Sequence, residues 1–503
     1  MKKISIAILA LVIIMVACKK TPEVNLEYVD VERDLITVGT NTATIQCDYQ
    51  YIATLKKAYL YYGEGEDATD MTSAEMRVVQ NTLCVDLTGL KENTTYSYYY
   101  EFVNGFNSMQ TEVKTFRTGI ALPVVVTVAV LEITDNSAQC GGEVVKDGGA
   151  VETERGVCWS LNENPSLNDN HVRVGSGIGS FSTIVSGLKA NTLYHVRAYA
   201  TNEAGTVYGE DESFMTLAPA GAIRGLFTVN SNGDQVYFSQ GNLQYQASTN
   251  TWRFAEHQWD YVGGVDTITG ELCGNVYDNG IKSDNALISP TYNGWIDLYG
   301  WSSNGHDHGA VCYQPWSTSG DFNDYHAYGG FSYSLYDQTG QAEWGYNAIS
   351  NGGNAENNGW RTPTWNEWHY VFFSRATVSD IRFAKGIVND VMGVILLPDE
   401  WDVSIYALNN VNQEYASFAS NVITLSDWEE FLEVNGVAFL PAAGIRYLSA
   451  YYNCGYGHYW SSSSFNDEIG AYDLDFGDNF LETDYYGSRY YGHMVRLVID
   501  NNP

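Results

Sequence analysis

Basic residues are scarce in this 503-residue chain: 26 Lys and Arg stand against 60 Asp and Glu, a formal net charge of −34. Nucleic-acid binding relies on clustered Lys and Arg that displace counterions from phosphates, and no basic stripe occurs, so the chain is not a nucleic-acid binder. Charge of either sign is sparse as well, at 17% of residues, below the roughly 25% of ordinary soluble domains. With 10 prolines and no strict short period, a collagen, a coiled coil and a disordered chain are excluded. No Cys-x-x-Cys pair occurs among the eight cysteines, which removes zinc-ribbon and thioredoxin-type readings. After residue 17 no apolar run is long enough for a membrane-spanning helix.

What the chain has instead is glycine (48), tyrosine (38) and tryptophan (13), the composition of β-rich structure with many tight turns and much aromatic packing. Its start is different. Met1-Lys2-Lys3 precedes an apolar run from Ile4 that closes on Met15-Val16-Ala17-Cys18. The run has the length of a signal-peptide core rather than of a membrane span. The Ala17-Cys18 junction resembles the lipobox of bacterial lipoproteins, in which the signal is cut before a cysteine that carries the lipid. That resemblance implies a signal peptide over 1–17, palmitate-type acylation at Cys18, and an outer-membrane lipoprotein exposed on the cell envelope. The membrane is then a partner through the N-terminal lipid. The remaining seven cysteines are odd in number, so at least one stays unpaired; Cys140 and Cys158 are placed to face each other across a sandwich, as a disulfide or as two buried thiols.

An internal repeat follows. Gly89-Leu90-Lys91-Glu92-Asn93-Thr94-Thr95-Tyr96 recurs 98 residues on as Gly187-Leu188-Lys189-Ala190-Asn191-Thr192-Leu193-Tyr194, and Phe116-Arg117-Thr118 as Phe214-Met215-Thr216. A period of that size is domain duplication, not a solenoid. Period-2 alternation puts Tyr194, Val196, Ala198 and Ala200 on an inner face, with His195, Arg197 and Tyr199 solvated on the other. The matching inner positions of the first copy are the bulkier Tyr96, Tyr98, Tyr100 and Phe102, so the two cores pack differently. Gly-Leu-x-x-x-Thr-x-Tyr before a strand is similar to the tyrosine-corner region of fibronectin type III domains. The resemblance implies all-β sandwiches over 22–118 and 123–217, with Trp159 in the core of a central strand, acting as spacers without catalytic groups.

Residues 222–503 form the third expected domain. Thr364-Trp365-Asn366-Glu367 and Ser426-Asp427-Trp428-Glu429 are capping-box patterns, predicting helices over 365–374 and from 427 to a stop at Asn435-Gly436. The words Gly359-Trp360-Arg361-Thr362-Pro363-Thr364-Trp365-Asn366-Glu367-Trp368, Leu440-Pro441-Ala442-Ala443-Gly444-Ile445-Arg446, His458-Tyr459-Trp460-Ser461-Ser462-Ser463 and Arg489-Tyr490-Tyr491-Gly492-His493-Met494-Val495-Arg496 carry a second resemblance. They resemble the Fibrobacter succinogenes major paralogous domain family and, through Trp-Arg-x-Pro-Thr-x-x-Glu-Trp, the formylglycine-generating (sulfatase-activating) enzymes. Both imply an α+β, C-type-lectin-like fold. The oxidase relatives use a close cysteine pair for copper and thiol chemistry. Here Cys454 stands alone in the C-terminal half of the domain, with Cys273 and Cys312 far upstream, so that chemistry is not expected.

The remaining chemistry is thin. Asp321, Asn323 and Asp324 offer oxygens that would suit calcium, and His306 and His308 nitrogens that would suit a transition metal, in a loop that also reads as polar turns. No resident cofactor is otherwise implied. Ser461 to Ser464 lie beside His458 without a carboxylate at triad spacing, and no catalytic residue is assigned. Adjacent tyrosines occur at Tyr451-Tyr452, Tyr485-Tyr486 and Tyr490-Tyr491; extended chain turns one ring of each pair outward. Tyr451, Tyr452, Tyr485, Tyr486 and Tyr490 are the candidate ligand-binding residues, since rigid aromatic faces suit sugars and protein surfaces. The expectation is a non-enzymatic recognition or adhesion protein for a glycan or a surface protein. The alternatives are an enzyme built on the sulfatase-activator fold and a purely structural surface subunit.

Overall fold

The computed structural model describes residues 31–49, 55–80, 82–104, 107–465 and 467–501. The signal segment and Cys18 lie outside the described residues. Among those described, no helix is long and apolar enough to cross a membrane. The architecture is overwhelmingly β, in many antiparallel sheets, with few and short helices. Packing divides the chain into two compact units, one reaching Ala129 and taking in Cys140–Thr183 and His195–Ser213, the other holding Val130–Gln139, Ile184–Tyr194 and everything from Phe214.

The first repeat has two antiparallel sheets. One pairs Val31–Val38, Thr42–Tyr49, Thr82–Thr88 and Arg77–Val79; the other is built on Lys57–Glu64 and Thr95–Asn104. They enclose one core in which Ile45, Leu60, Leu87, Tyr98, Tyr100 and Phe102 are buried, with Tyr96, Tyr98, Tyr100 and Phe102 all inward as the alternation predicts. The second repeat pairs Val124–Thr127, Ser137–Lys146 and Gly179–Ser186 in one sheet. Its other sheet runs Asn170–Ser176, Glu154–Ser160, Leu193–Asn202 and Gly205–Tyr208.

The repeated words do the same work in both copies. The Lys91 amide donates to the Tyr96 hydroxyl at 2.9 Å, and the Lys189 amide to the Tyr194 hydroxyl at 3.1 Å. Thr118 and Thr216 each accept from the amide of Thr94 or Thr192 at 2.8 Å and donate to the carbonyl of Lys91 or Lys189 at 2.6 Å. Asn93 and Asn191 take φ of 48° and 46°, the left-handed conformation that asparagine tolerates.

Two expectations need correction. Glu154–Ser160 is central, flanked by Asn170–Ser176 and Leu193–Asn202, but its core residues are Val157 and Cys158 while Trp159 is only half-buried. The outer face of Leu193–Asn202 is not simply solvated: Tyr199 is buried with its hydroxyl on Glu154, and the Arg197 guanidinium lies over the Tyr208 ring. Short flanking strands cover what period-2 counting exposes. Cys158 does not bridge Cys140; its thiol donates to the Pro165 carbonyl, and both side chains are buried.

The third region is a mosaic of small sheets. Val498–Asp500 lies between Gln235–Phe238 and Trp360–Arg361, so one sheet joins the region's start, middle and end. A second holds Phe383–Val388, Val391–Leu396 and Ala438–Pro441, with Val422–Ile423 added in parallel to the first of these. A third is the meander Gly457–Ser464, Gly470–Gly477 and Phe480–Ser488.

The predicted capping box at Thr364 is present in full, each partner accepting from the other's amide. Its helix is regular only over Trp365–His369 and then widens into a π turn, which still buries Trp368, Val371 and Phe372. The second helix starts two residues earlier than predicted, because Thr424 rather than Ser426 is its N-cap, the Thr424 hydroxyl accepting from the Asp427 amide; it stops at Gly436, φ 77°. Arg361 grips both Glu367 oxygens at 2.7 Å and also Asp500, tying the motif to the C-terminal strand. Burial accounts for the tryptophans: Trp252, Trp301, Trp344, Trp368, Trp428 and Trp460 are all core residues.

Candidate functional site

The meander carries the site. In Gly457–Ser464 and Gly470–Gly477 the register pairs His458 with Asp475 and Trp460 with Asp473, so both carboxylates share the face on which His458 stands. His493 arrives from the segment after Tyr491–Gly492. The Met494 amide donates to the His458 carbonyl and the Trp460 amide to the Met494 carbonyl, which lays the two motifs side by side. Reciprocal amide–carbonyl bonds with Tyr299 fix the His493 backbone, and its ring stacks on Trp460 with centroids 4.0 Å apart.

The result is two histidines and two aspartates at the floor of a cavity of about 580 Å³. His458 Nδ1 lies 3.0 Å from Asp475 Oδ1, His493 Nδ1 lies 3.1 Å from Asp473 Oδ2, and the imidazole centroids are 5.2 Å apart. Asp473 is 1% and His493 2% exposed. Despite that burial, His458 Nε2 has no hydrogen-bond partner in the protein, and His493 Nδ1, both Asp473 oxygens and Asp475 Oδ1 have none beyond the two histidine–aspartate contacts. Buried polar atoms are paired in the great majority of cases, so this concentration marks a place built for something other than packing. Burial, reinforced by the neighbouring Asp475 charge, pushes the Asp473 carboxyl far above the usual range although His458 pulls the other way. Burial and the nearby His458 hold the His493 imidazole far below its ordinary value.

The wall is aromatic. Tyr485, Tyr486, Tyr491 and Tyr456 line the cavity together with Phe480. Tyr485 and Tyr486 are 47% and 45% exposed; Tyr485, opposite Asp473, shares the face of the carboxylates, whereas Tyr486, opposite Tyr472, lines the cavity but stacks its ring on Phe465 at 4.0 Å. An extra residue between Glu482 and Tyr485 shifts the register against Asp473 and Asp475, a bulge of the kind that re-aims side chains. Gly487 keeps the floor open: a Cβ there would stand 2.6 Å from His493 Cε1 and 3.2 Å from Asp473 Oδ2.

The other predicted tyrosines divide. Tyr451 is fully buried, its hydroxyl on the Ala443 carbonyl, and presents no face to a ligand; this corrects its candidacy. Tyr452 and Tyr490 are half-buried, and Tyr490 packs against Tyr447 and Tyr491 beside the cavity rather than in its wall. In the acidic loop, Asp321 Oδ1 accepts from the Asn323 amide and side chain, and Asp324 Oδ2 from Ser319, so these oxygens serve turns. His306 and His308 bond Asn347 and the Ser302 carbonyl. The serines beside His458 fasten neighbouring segments: Ser461 takes the Trp301 indole N–H on its carbonyl, and Ser463 Oγ the Trp365 amide.

One contact was hidden by sequence distance. Cys273 and Cys454, 181 residues apart, form a disulfide, so this region does hold a close cysteine pair. Cys273 is buried in the core and Cys454 packs against it. The Cys454 amide donates to Asp266, and the hairpin that contains it supplies Asn453 and Tyr456 to the cavity rim. Asp473, Asp475 and His493 also escaped the sequence reading; the one available signal was that two of the motif words, His458-Tyr459-Trp460 and Gly492-His493-Met494, each carried a histidine. No protein-family model matches the chain, and no curated protein matches it.

Proposed function

We propose that this is a lipid-anchored cell-envelope protein that recognises a glycan or a surface protein without transforming it. In this reading Cys18 carries the lipid, two fibronectin type III-like modules act as spacers, and a C-type-lectin-like head carries the binding site. The observation behind the reading is the cavity: about 580 Å³, walled by exposed Tyr485 with Tyr456, Phe480 and Tyr491 over a floor of buried histidines and aspartates. Aromatic faces stack on the apolar side of a sugar ring while buried donors and acceptors take its hydroxyls. The Cys273–Cys454 disulfide supports maturation in an oxidising compartment.

The test is an array of glycans and envelope proteins probed with the full chain, with and without calcium. Binding that falls roughly tenfold or more in Tyr485→Ala supports the reading; binding to nothing, or binding indifferent to that change, overturns it. The anchor is tested by labelled palmitate, whose uptake should end in Cys18→Ala.

The disulfide also favours a second reading, thiol oxidation on a sulfatase-activator-like head, because it supplies the paired cysteines that spacing alone withheld. Turnover of a cysteine peptide by reduced, copper(I)-loaded protein with dioxygen supplied as the electron acceptor, lost in Cys454→Ser, would establish it.

A further inference from the structure

The geometry points to a divalent transition-metal site, suited to zinc, formed by His458, Asp473 and His493 at the cavity floor. One donor atom from each of the three lies within 4.8 Å of the others. They are nearly or fully buried; His458 Nε2 has no hydrogen-bond partner in the protein, and His493 Nδ1 and the Asp473 oxygens have none but the 3.1 Å contact between them. Two imidazoles and one carboxylate form the borderline-soft set that zinc takes with three protein ligands, leaving a fourth position for water or a ligand. Calcium would need six to eight oxygens, which this floor does not offer. Asp475, 3.0 Å from His458 Nδ1, stands where a carboxylate orients a metal-bound imidazole and leaves Nε2 for the ion. The supports are rigid: Trp460 backs the His493 ring, and Gly487 omits the Cβ that would crowd it. The proposal shares the cavity of the recognition reading but does not depend on a glycan, so either can fail alone.

The test uses the untagged, disulfide-intact full chain after chelation, reloaded with zinc or cobalt(II). One metal per chain by elemental mass spectrometry, with the visible ligand-field bands of four-coordinate cobalt, is the expected result. His493→Ala and Asp473→Asn should abolish those bands, and Asp475→Asn should weaken metal affinity roughly 10- to 100-fold. His171→Ala, an exposed histidine of the second repeat, should change nothing. Circular dichroism and thermal melts of the metal-free variants separate ligand loss from misfolding. Absence of stoichiometric metal in the folded wild type overturns the proposal. So does binding that survives both His493→Ala and Asp473→Asn, or that is lost only in Cys454→Ser.

Discussion

Buried polar groups are handled differently in the repeats and in the C-terminal head. In each repeat the duplicated contacts fasten one corner: Tyr96 and Tyr194 take the amide five residues earlier, and Thr118 and Thr216 hold the carbonyls of Lys91 and Lys189, 27 residues back. In the head, buried polar groups reach across the domain. Lys385 donates to the carbonyls of Glu414, Gly477 and Phe480, and Arg446 to that of Leu298, 148 residues away. At His458, Asp473, Asp475 and His493 such long-range partners are lacking for several buried atoms, and these residues line the cavity. The difference teaches that a local polar motif is a fastening that duplication copies whole, while a site needs groups that several distant segments jointly leave open.

The strongest way to break the contrast is Lys385→Met. Its ammonium is buried, and desolvation lowers it to about 8 against weaker support from Asp478 and Glu414. Removing it strands three carbonyls, so head stability should fall by about 4 kcal/mol, read as an earlier denaturant midpoint with the repeats' transition unmoved.

A pH experiment sharpens it next. Burial lifts the Glu343 carboxyl to about 7, against hydrogen bonds from Thr362. The folded state therefore holds a proton that the unfolded chain releases near 4.5, so stability is greatest on the acid side and declines as pH rises from about 4.5 to 7. Glu343→Gln should remove about 3 kcal/mol of that decline, seen as a flatter melting-temperature profile than wild type.

The first repeat has the opposite sign. Burial works to raise the Asp34 carboxyl, but hydrogen bonds from Lys114, Tyr100 and Tyr98 outweigh it and hold it below the usual range. Its contribution is present above about pH 4 and is lost as pH falls through the depressed value. Asp34→Ala should cost about 2 kcal/mol at neutral pH and erase that acid limb in chemical denaturation. The second repeat has Val196 and Ala198 where the first has Tyr98 and Tyr100, so it carries no counterpart. The smallest effect tests the likeness: Tyr96→Phe and Tyr194→Phe should each cost about 1 kcal/mol, equal within error when melts are compared.

Sequence reading went furthest where structure is short-range. The tyrosine corners, the Thr364 box and the Gly436 stop are each decided within a few residues, and period-2 spacing placed the inner tyrosines of the first repeat. It went astray where neighbouring strands decide. Tyr199 and Trp159 follow what packs over them, and the bulge before Tyr485 sets that ring opposite Asp473. The aromatic candidates were legible as a set but not sorted, since nothing local separates buried Tyr451 from exposed Tyr485.

By itself the sequence determined the repeated words, the β-rich character, the Thr364 capping box and the tyrosine–amide corners, because each rests on backbone and side-chain chemistry within one turn or one strand. Only the tertiary structure decided the Cys273–Cys454 bond and the meeting of His458, Asp473, Asp475 and His493. Those contacts depend on strand register and on which distant segments the core holds together, and no spacing along the chain encodes that.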